Sequence, residues 1–154
     1  MNRFKRSLFL VLVIGGLAGT AVGQDRGFGL GIILGEPTGV SMKGWLSSST
    51  AIDAAVAWSF RPEAMFHLHA DSLLHSFDLF TTEEKVPLYY GIGGRLRTGR
   101  NQDAHLGLRM VAGVDYLVRN APVDLFLELA PILDLAPATE AEINAGIGVR
   151  YWFR

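Results

Sequence analysis

The chain has 154 residues, of which 49% are hydrophobic, with 14 Lys and Arg against 15 Asp and Glu and no cysteine. This length suits a single domain, and a net charge of -1 offers no basic surface for nucleic acid. The absence of cysteine fits an exported protein that does not use disulfides.

The amino terminus predicts a secretory signal peptide. Three basic residues lie within the first six positions, an apolar run follows from Leu8 to Leu17, and Ala21-Val22-Gly23 supplies the small residues of a cleavage site. The run is too short to span a membrane, because a spanning helix needs about 20 apolar residues. We therefore expect residues 1–23 to be removed and residues 24–154 to form one domain.

The composition after the signal peptide is unusual for a soluble domain. Removing its three basic residues leaves 11 Lys and Arg against 15 Asp and Glu, a net charge of -4. Only Lys43 and Lys85 remain as lysines. A soluble domain usually mixes Lys and Glu over its surface, so this composition indicates little surface facing water.

Turn-forming residues divide the rest of the chain into eight segments with strand character, and no helical period competes with them. The segments run Phe28–Gly35, Gly39–Ser47, Thr50–Phe60, Ala64–His75, Pro87–Thr98, Ala104–Val118, Pro122–Ala136 and Glu140–Arg154. Five of the six prolines lie at the breaks. The sixth, Pro131, lies inside a segment and cannot donate a ladder hydrogen bond, so we expect a β-bulge or a break in pairing there, toward the outer end of the strand.

Apolar and polar residues alternate along each segment, which places them on opposite faces of a strand. One face collects apolar residues such as Leu30, Ile32, Val56, Trp58, Leu96, Leu108, Leu125 and Leu127. The other collects charged residues, with glycines such as Gly29, Gly31, Gly91, Gly93, Gly107, Gly113, Gly146 and Gly148 between them.

Alternation alone does not decide which face points inward, because a soluble β-sandwich with an apolar core has the same period. The glycines favour a closed barrel, since inside a narrow barrel they leave room for long charged neighbours. The segments also reach the roughly 9–11 residues that a tilted strand needs to cross a bilayer. We therefore predict an all-β fold, an eight-stranded antiparallel up-and-down transmembrane β-barrel closed by pairing of the first and last segments.

The last segment carries a second pattern. Asn144-x-Gly146-x-x-Val149-x-Tyr151 has the polar, glycine, apolar, apolar spacing of the C-terminal signal that is read by the machinery inserting outer-membrane β-barrels. The expected partners are therefore outer-membrane lipid and the barrel-assembly machinery, and the expected location is the cell outer membrane.

Five stretches together resemble a known family: Leu34–Val40, Trp45–Asp53, Ala57–Phe60, Pro87–Arg95 and Ala130–Leu135. They are similar to small bacterial outer-membrane β-barrel proteins, known best from spirochaetes and long described only as a domain of unknown function. The likeness covers nearly the whole mature chain. It implies an eight-stranded barrel of the OmpX and OmpA transmembrane type and brings no catalytic residues with it.

The connections between segments bear on what such a barrel could bind. With both chain ends in the periplasm, the outward loops are all short: Glu36–Thr38, Arg61–Glu63, Gly99–Asp103 and Pro137–Thr139. The longest connection, Ser76–Val86, would face the periplasm. This argues against an adhesin role carried by loops and leaves an extracellular ligand unidentified.

His67-x-His69-x-Asp71 puts three potential metal ligands on the polar face of one strand. His-x-His on a strand can hold zinc, and the hairpin register around Pro62 places Asp53 opposite Asp71. The alternative is that these side chains are rungs of a polar interior, with His67 near Arg95 and Asp71 near Gly91. We expect the second reading, with no metal and no cofactor.

The polar face predicts an ion-paired interior, because isolated charges inside a barrel would be costly. The expected network consists of Lys43, Asp53, His67, His69, Asp71, Arg95, Arg109, Asp115, Glu128 and Arg150. Hairpin register pairs Lys43 with Asp53, Glu128 with Arg150, and Asp134 with Asn144.

Three functions fit this sequence. The expected one is a structural or interaction role without enzymatic activity, since no Ser-His-Asp set converges by register and no glycine-rich loop leads into a helix. The alternatives are a narrow channel for ions or small solutes, and a lipid-modifying or metal-dependent outer-membrane enzyme.

Overall fold

The computed structural model describes residues 26–36, 38–58, 66–80, 84–99 and 103–153, so the expected signal peptide lies outside the described residues. Eight strands lie within two residues of the predicted segments. They are β1 (Phe28–Glu36), β2 (Thr38–Trp45), β3 (Thr50–Trp58), β4 (Phe66–Ser76), β5 (Leu88–Thr98), β6 (His105–Leu117), β7 (Val123–Ala136) and β8 (Glu140–Phe153).

The eight strands form one closed barrel. Each strand pairs antiparallel with the next, and β1 pairs with β8 from Phe28 opposite Phe153 to Glu36 opposite Ala145. The all-β, eight-stranded antiparallel barrel is therefore confirmed. Among the described residues there is no helix long and apolar enough to cross a membrane.

The barrel has two rims. The terminal rim is where β1 begins and β8 ends, and the distal rim is opposite. The distal rim carries the connections at residue 37 and at residues 59–65, 99–104 and 137–139, and the terminal rim carries those at residues 46–49, 77–87 and 118–122. The longest connection, 77–87, lies at the terminal rim, as predicted.

Register across the β2–β3 and β3–β4 hairpins agrees with the sequence prediction. Lys43 pairs with Asp53 between β2 and β3, and Asp53 pairs with Asp71 between β3 and β4. Three charged residues on adjacent strands therefore lie at one level of the barrel.

Register across the longest connection was predicted wrongly. His67 pairs with Arg97 rather than Arg95, and Asp71 pairs with Gly93 rather than Gly91. A shift of one residue in the centre of a turn moves the partners by two, and the 77–87 connection has no tight-turn motif to set its centre. Because the shift is even, every side chain keeps its face.

Register of the last hairpin was also predicted wrongly. Arg150 pairs with Asp124, not with Glu128, and Asp134 pairs with Glu140, not with Asn144. This pairing centres the turn on residue 137, two residues earlier than expected.

The expected irregularity at Pro131 is confirmed. Within the described strands, the pairing of β7 with β6 stops at Ile132 and resumes at Leu129, so Pro131 has no β6 partner. On the other side it pairs with Ile143. A further register shift at Leu135 lies nearer the distal rim, where β7 holds one residue more than β6.

Burial across the barrel wall is the reverse of that in a soluble protein. The exposed large side chains are apolar, among them Leu30, Ile32, Val40, Ile52, Leu68, Ile92, Met110, Leu127, Leu129, Ile143 and Ile147. The buried ones include most of the charged residues. The alternation therefore directs apolar residues outward and charged residues into the lumen.

Two glycines make room for lumen side chains. A Cβ atom at Gly93 would overlap Oδ1 of Asp71, and one at Gly113 would overlap the ring and hydroxyl of Tyr89. Both glycines face the lumen across a strand pair from a larger partner. Their role is spatial, since an added methyl group would also overlap a backbone oxygen, that of Ala70 at Gly93 and that of Leu127 at Gly113.

The packing around the glycines predicts a contrast between Gly113 and Gly44. Gly113→Ala should lower the free energy of unfolding by about 1–3 kcal/mol, because the methyl group overpacks the lumen. Gly44 has no atom within 4 Å of an added Cβ, so Gly44→Ala should be neutral or stabilise by about 0.4–1 kcal/mol. Urea unfolding of both variants measures this, and equal effects would contradict it.

Candidate functional site

Arg150 is the central residue of the ion pairs in the half of the lumen nearer the terminal rim. Its Nη1 lies 2.9 Å from Asp53 Oδ2, its Nη2 2.8 Å from Asp115 Oδ1, and its Nε 3.2 Å from Asp124 Oδ1. These carboxylates come from β3, β6 and β7, and Arg150 comes from β8. One guanidinium group therefore connects four strands across the lumen. With Lys43, these residues form the lower cluster.

Lys43 completes the lower cluster. Its ammonium group donates a hydrogen bond to Asp115 Oδ2 and lies 5.2 Å from the ring centroid of Trp45 and 4.8 Å from that of Tyr89. Ring contacts continue to His75, whose centroid is 4.4 Å from that of Trp45. Cation–π contacts and rings therefore fill the lumen at this end.

Arg109 forms the central cluster with Asp71 and Glu128. It donates a hydrogen bond to Asp71 Oδ2 through Nη1 and to Glu128 Oε1 through Nη2, the second over 2.6 Å. The hydroxyl of Tyr89 also donates to Glu128, over 3.3 Å. Glu128, which the predicted register assigned to Arg150, thus pairs with Arg109.

The upper cluster lies toward the distal rim and consists of Arg95, Arg97, Asp134 and Glu142. Arg95 lies 2.5 Å from Asp134 and 2.6 Å from Glu142. Arg97 lies 2.6 Å from Glu142 and 3.5 Å from Asp134. Each carboxylate therefore faces both guanidinium groups.

Histidines lie beside the clusters. His69 Nε2 is 3.8 Å from Asp53 Oδ1 and 3.9 Å from Asp71 Oδ2, and His69 Nδ1 is 3.3 Å from His67 Nε2. All four residues are buried. Asp53, His69 and Asp71 together have the donor atoms and spacing to hold a metal ion.

The ten residues of the predicted network all lie buried in the lumen. The structure brings Lys43, Asp53, Asp115 and Arg150 into the lower cluster, Asp71, Arg109 and Glu128 into the central one, and Arg95 into the upper one. His69 lies between the lower and central clusters, and His67 lies next to His69.

Five participants lie outside the ten-residue predicted network: His75, Arg97, Asp124, Asp134 and Glu142. Of these, the sequence had assigned Asp134 to the polar interior, but as the partner of Asn144. Each lies an even number of residues along its strand from a residue that was included, so the two share a face. Alternation is therefore the signal that identifies these five residues. Contacts across the lumen carry no such signal, because they depend on how the closed barrel brings distant strands together.

The outer wall has an apolar depression where the β6–β7 ladder is broken. Its volume is about 500 Å³, and its lining includes Met110, Pro131, Leu133 and Ile143. The missing ladder partner of Pro131 explains its position. Its apolar lining suits an alkyl chain rather than a polar ligand.

Comparison with known proteins adds no further identification: no protein-family model and no curated protein matches the chain.

The site predicts unequal roles for two arginines. Arg150→Leu should cost about 3–5 kcal/mol of stability, because it removes the ion-pair partner of three buried carboxylates. Arg97→Leu should cost about 1 kcal/mol, because Asp134 and Glu142 keep Arg95 and because the Arg97 side chain is 10% exposed. Urea unfolding of the two variants compares these costs. A larger loss in Arg97→Leu would show that Arg150 is not the central connection.

Proposed function

We propose that this chain is a small outer-membrane β-barrel protein, exported by a signal peptide over residues 1–23, with a structural or interaction role. The observation that carries the proposal is the direction of burial: apolar side chains face outward, whereas charged side chains face the lumen. Water solvates an exposed apolar belt poorly, and a bilayer solvates it well.

The height of the apolar belt supports a bilayer location. Every outward position of β7 from Leu125 to Leu135 is apolar, which covers ten residue steps. At roughly 3.4 Å per residue and a tilt of about 40°, this corresponds to roughly 26 Å along the barrel axis. Transmembrane barrels have an apolar band of about 25 Å.

Aromatic residues lie near both ends of the belt. Trp58 and Phe66 pair next to the distal rim, and Phe28 and Phe153 pair next to the terminal rim. All four are 43% exposed or more. Aromatic rings at both levels match the girdles of membrane barrels, which lie at the membrane interfaces.

The chain termini support the same proposal. The N-terminal charge pattern is that of a signal peptide, and β8, which carries the proposed assembly signal, closes the barrel by pairing with β1. Partners under this proposal are outer-membrane lipid and the barrel-assembly machinery. The apolar depression at Pro131 would be filled by a lipid alkyl chain.

The lumen supports a structural role over transport. Arg95, Arg109 and Arg150 are each 1% exposed and bridge the lumen through carboxylates from other strands. The interior of an eight-stranded barrel is just wide enough for side chains to fill or for one small ligand, and here charged side chains fill it. The short distal connections also limit the surface available to an extracellular ligand.

Membrane insertion predicts different effects for two leucines of equal exposure. Leu127 is 59% exposed within the belt, and Leu79 is 58% exposed in the 77–87 connection. Leu127→Arg should destabilise the barrel in lipid vesicles by about 1–4 kcal/mol, because it puts a charge inside the apolar band of the bilayer. Leu79→Arg should change stability by less than about 0.5 kcal/mol.

The readout is urea unfolding after insertion into vesicles, with folding followed by heat-modifiable migration in gels. Wild-type protein that stays folded and monomeric in water without detergent, and that tolerates Leu127→Arg as well as Leu79→Arg, would contradict the membrane location.

Planar-bilayer recording separates the structural role from a narrow channel. We expect no stable conductance from wild-type protein, because the buried ion pairs occupy the lumen. Large, long-lived openings, compared with a porin recorded in the same lipid, would favour the channel.

A further inference from the structure

Charge in the lumen does not balance. Among the residues that the structure describes, the lumen clusters contain five cations and seven carboxylates. The cations are Lys43, Arg95, Arg97, Arg109 and Arg150, and the carboxylates are Asp53, Asp71, Asp115, Asp124, Glu128, Asp134 and Glu142. Buried charges are costly unless compensated, so two positive charges are lacking when the lumen histidines beside these carboxylates are neutral.

The surplus of negative charge lies below the upper cluster. That cluster is balanced, because two guanidinium groups face two carboxylates. The lower and central clusters contain three cations and five carboxylates within the described strands. Asp53 belongs to the lower cluster and Asp71 to the central one, and the two pair across β3 and β4.

His69 lies between these two carboxylates. Its Nε2 is 3.8 Å from Asp53 Oδ1 and 3.9 Å from Asp71 Oδ2. Both distances are too long for hydrogen bonds. Ligand atoms at 2.0–2.2 Å from a tetrahedral zinc ion lie roughly 3.4 Å apart, so shortening each of these two distances by about 0.4–0.5 Å would bring His69 to ligand spacing with both carboxylates. The three donor atoms all lie within 4.8 Å of one another.

The carboxylates retain oxygen atoms for a ligand. Asp53 meets Arg150 through Oδ2, which leaves Oδ1 directed at His69. Asp71 is 2% exposed, and its Oδ1 has no hydrogen-bond partner among the described residues. This Oδ1 points toward Gly93, and the oxygen of Asp71 that lies nearer His69 is Oδ2, which accepts a hydrogen bond from Arg109. A carboxylate oxygen that accepts one hydrogen bond keeps a second lone pair for a metal ion.

The imidazole of His67 is placed to orient the ring of His69. His69 Nδ1 is 3.3 Å from His67 Nε2, so one of these nitrogens donates a hydrogen bond to the other. When His69 donates, its Nε2 presents a lone pair to the site between the carboxylates. A metal-bound histidine commonly donates its other ring N–H in this way.

We propose that Asp53, His69 and Asp71 form a site for one divalent transition-metal ion of the zinc class. Two positive charges match the surplus in the lower and central clusters. An imidazole ligand favours zinc over magnesium or calcium, which prefer oxygen ligands only. The ion would join β3 to β4 at the level where both clusters meet. The proposal rests on the barrel interior alone and does not depend on the membrane in which the barrel lies.

A second group with metal-ligand spacing, His105, Asp134 and Glu140, fits less well. Asp134 already faces both arginines of the upper cluster. The Glu140 side chain is 56% exposed.

The test is zinc binding by the folded, purified protein. After treatment with a chelator, the protein receives Zn²⁺ alone, excess metal is removed by gel filtration, and bound zinc is measured by mass spectrometry. We expect about one zinc per chain in the wild type. His69→Gln and Asp53→Asn should each weaken binding at least tenfold. An excess of Mg²⁺ should not displace the zinc.

His75→Gln is the matched control, because His75 is also buried in the lumen but lies outside both groups. It should retain zinc as the wild type does. Wild type that holds no more zinc than His69→Gln overturns the proposal, as does loss of zinc in His105→Gln with retention in His69→Gln.

Two further measurements test the site, the absorption spectrum with Co²⁺ and the unfolding temperature with Zn²⁺. Co²⁺ in place of Zn²⁺ should give wild type the visible absorption of a tetrahedral or five-coordinate site, and the lack of such a band overturns the proposal even where a variant fails to fold. Zinc should also raise the unfolding temperature of wild type and leave that of His69→Gln unchanged.

Discussion

Compensation of buried charge in the lumen is the constraint on which this barrel depends. Arg150 on β8 reaches carboxylates on β3, β6 and β7. Of these three strands, only β7 is a neighbour of β8. Backbone pairing connects each strand only to its neighbours, whereas the ion pairs connect strands across the barrel. Because an unpaired buried charge is costly, the favourable state of the lumen requires that all contributing strands are in place together.

The glycines and the charges belong to the same arrangement. Asp71 lies against Gly93, and Tyr89, which donates to Glu128, lies against Gly113. A larger residue at either glycine would move a group that holds the central cluster. The small residues therefore set the positions of the charged ones, and their distribution along the strands is part of the site.

The sequence contains most of the fold. Alternation predicts the strands to within two residues and the face of each charged side chain. Register is correct where the turn is well marked, as for Lys43 and Asp53. It is wrong by two residues for His67 and by four for Arg150, because a shift by an even number of residues preserves the alternation and so leaves no trace in the pattern. Contacts across the lumen, such as Arg109 with Asp71, follow from the tilt and closure of the barrel and have no local signal.

Neither the apolar outer wall nor the charged lumen of the barrel is fully stabilised by the chain alone. The outer wall exposes apolar side chains that water does not stabilise, which is why we place it in a bilayer. The lumen holds two more carboxylates than cations among the described residues, which is why we assign a divalent ion to Asp53, His69 and Asp71. In a soluble protein one apolar core would stabilise the fold by itself. Here the chain supplies the strands and most of the charges, and its surroundings would supply the apolar solvent outside and the missing positive charge inside.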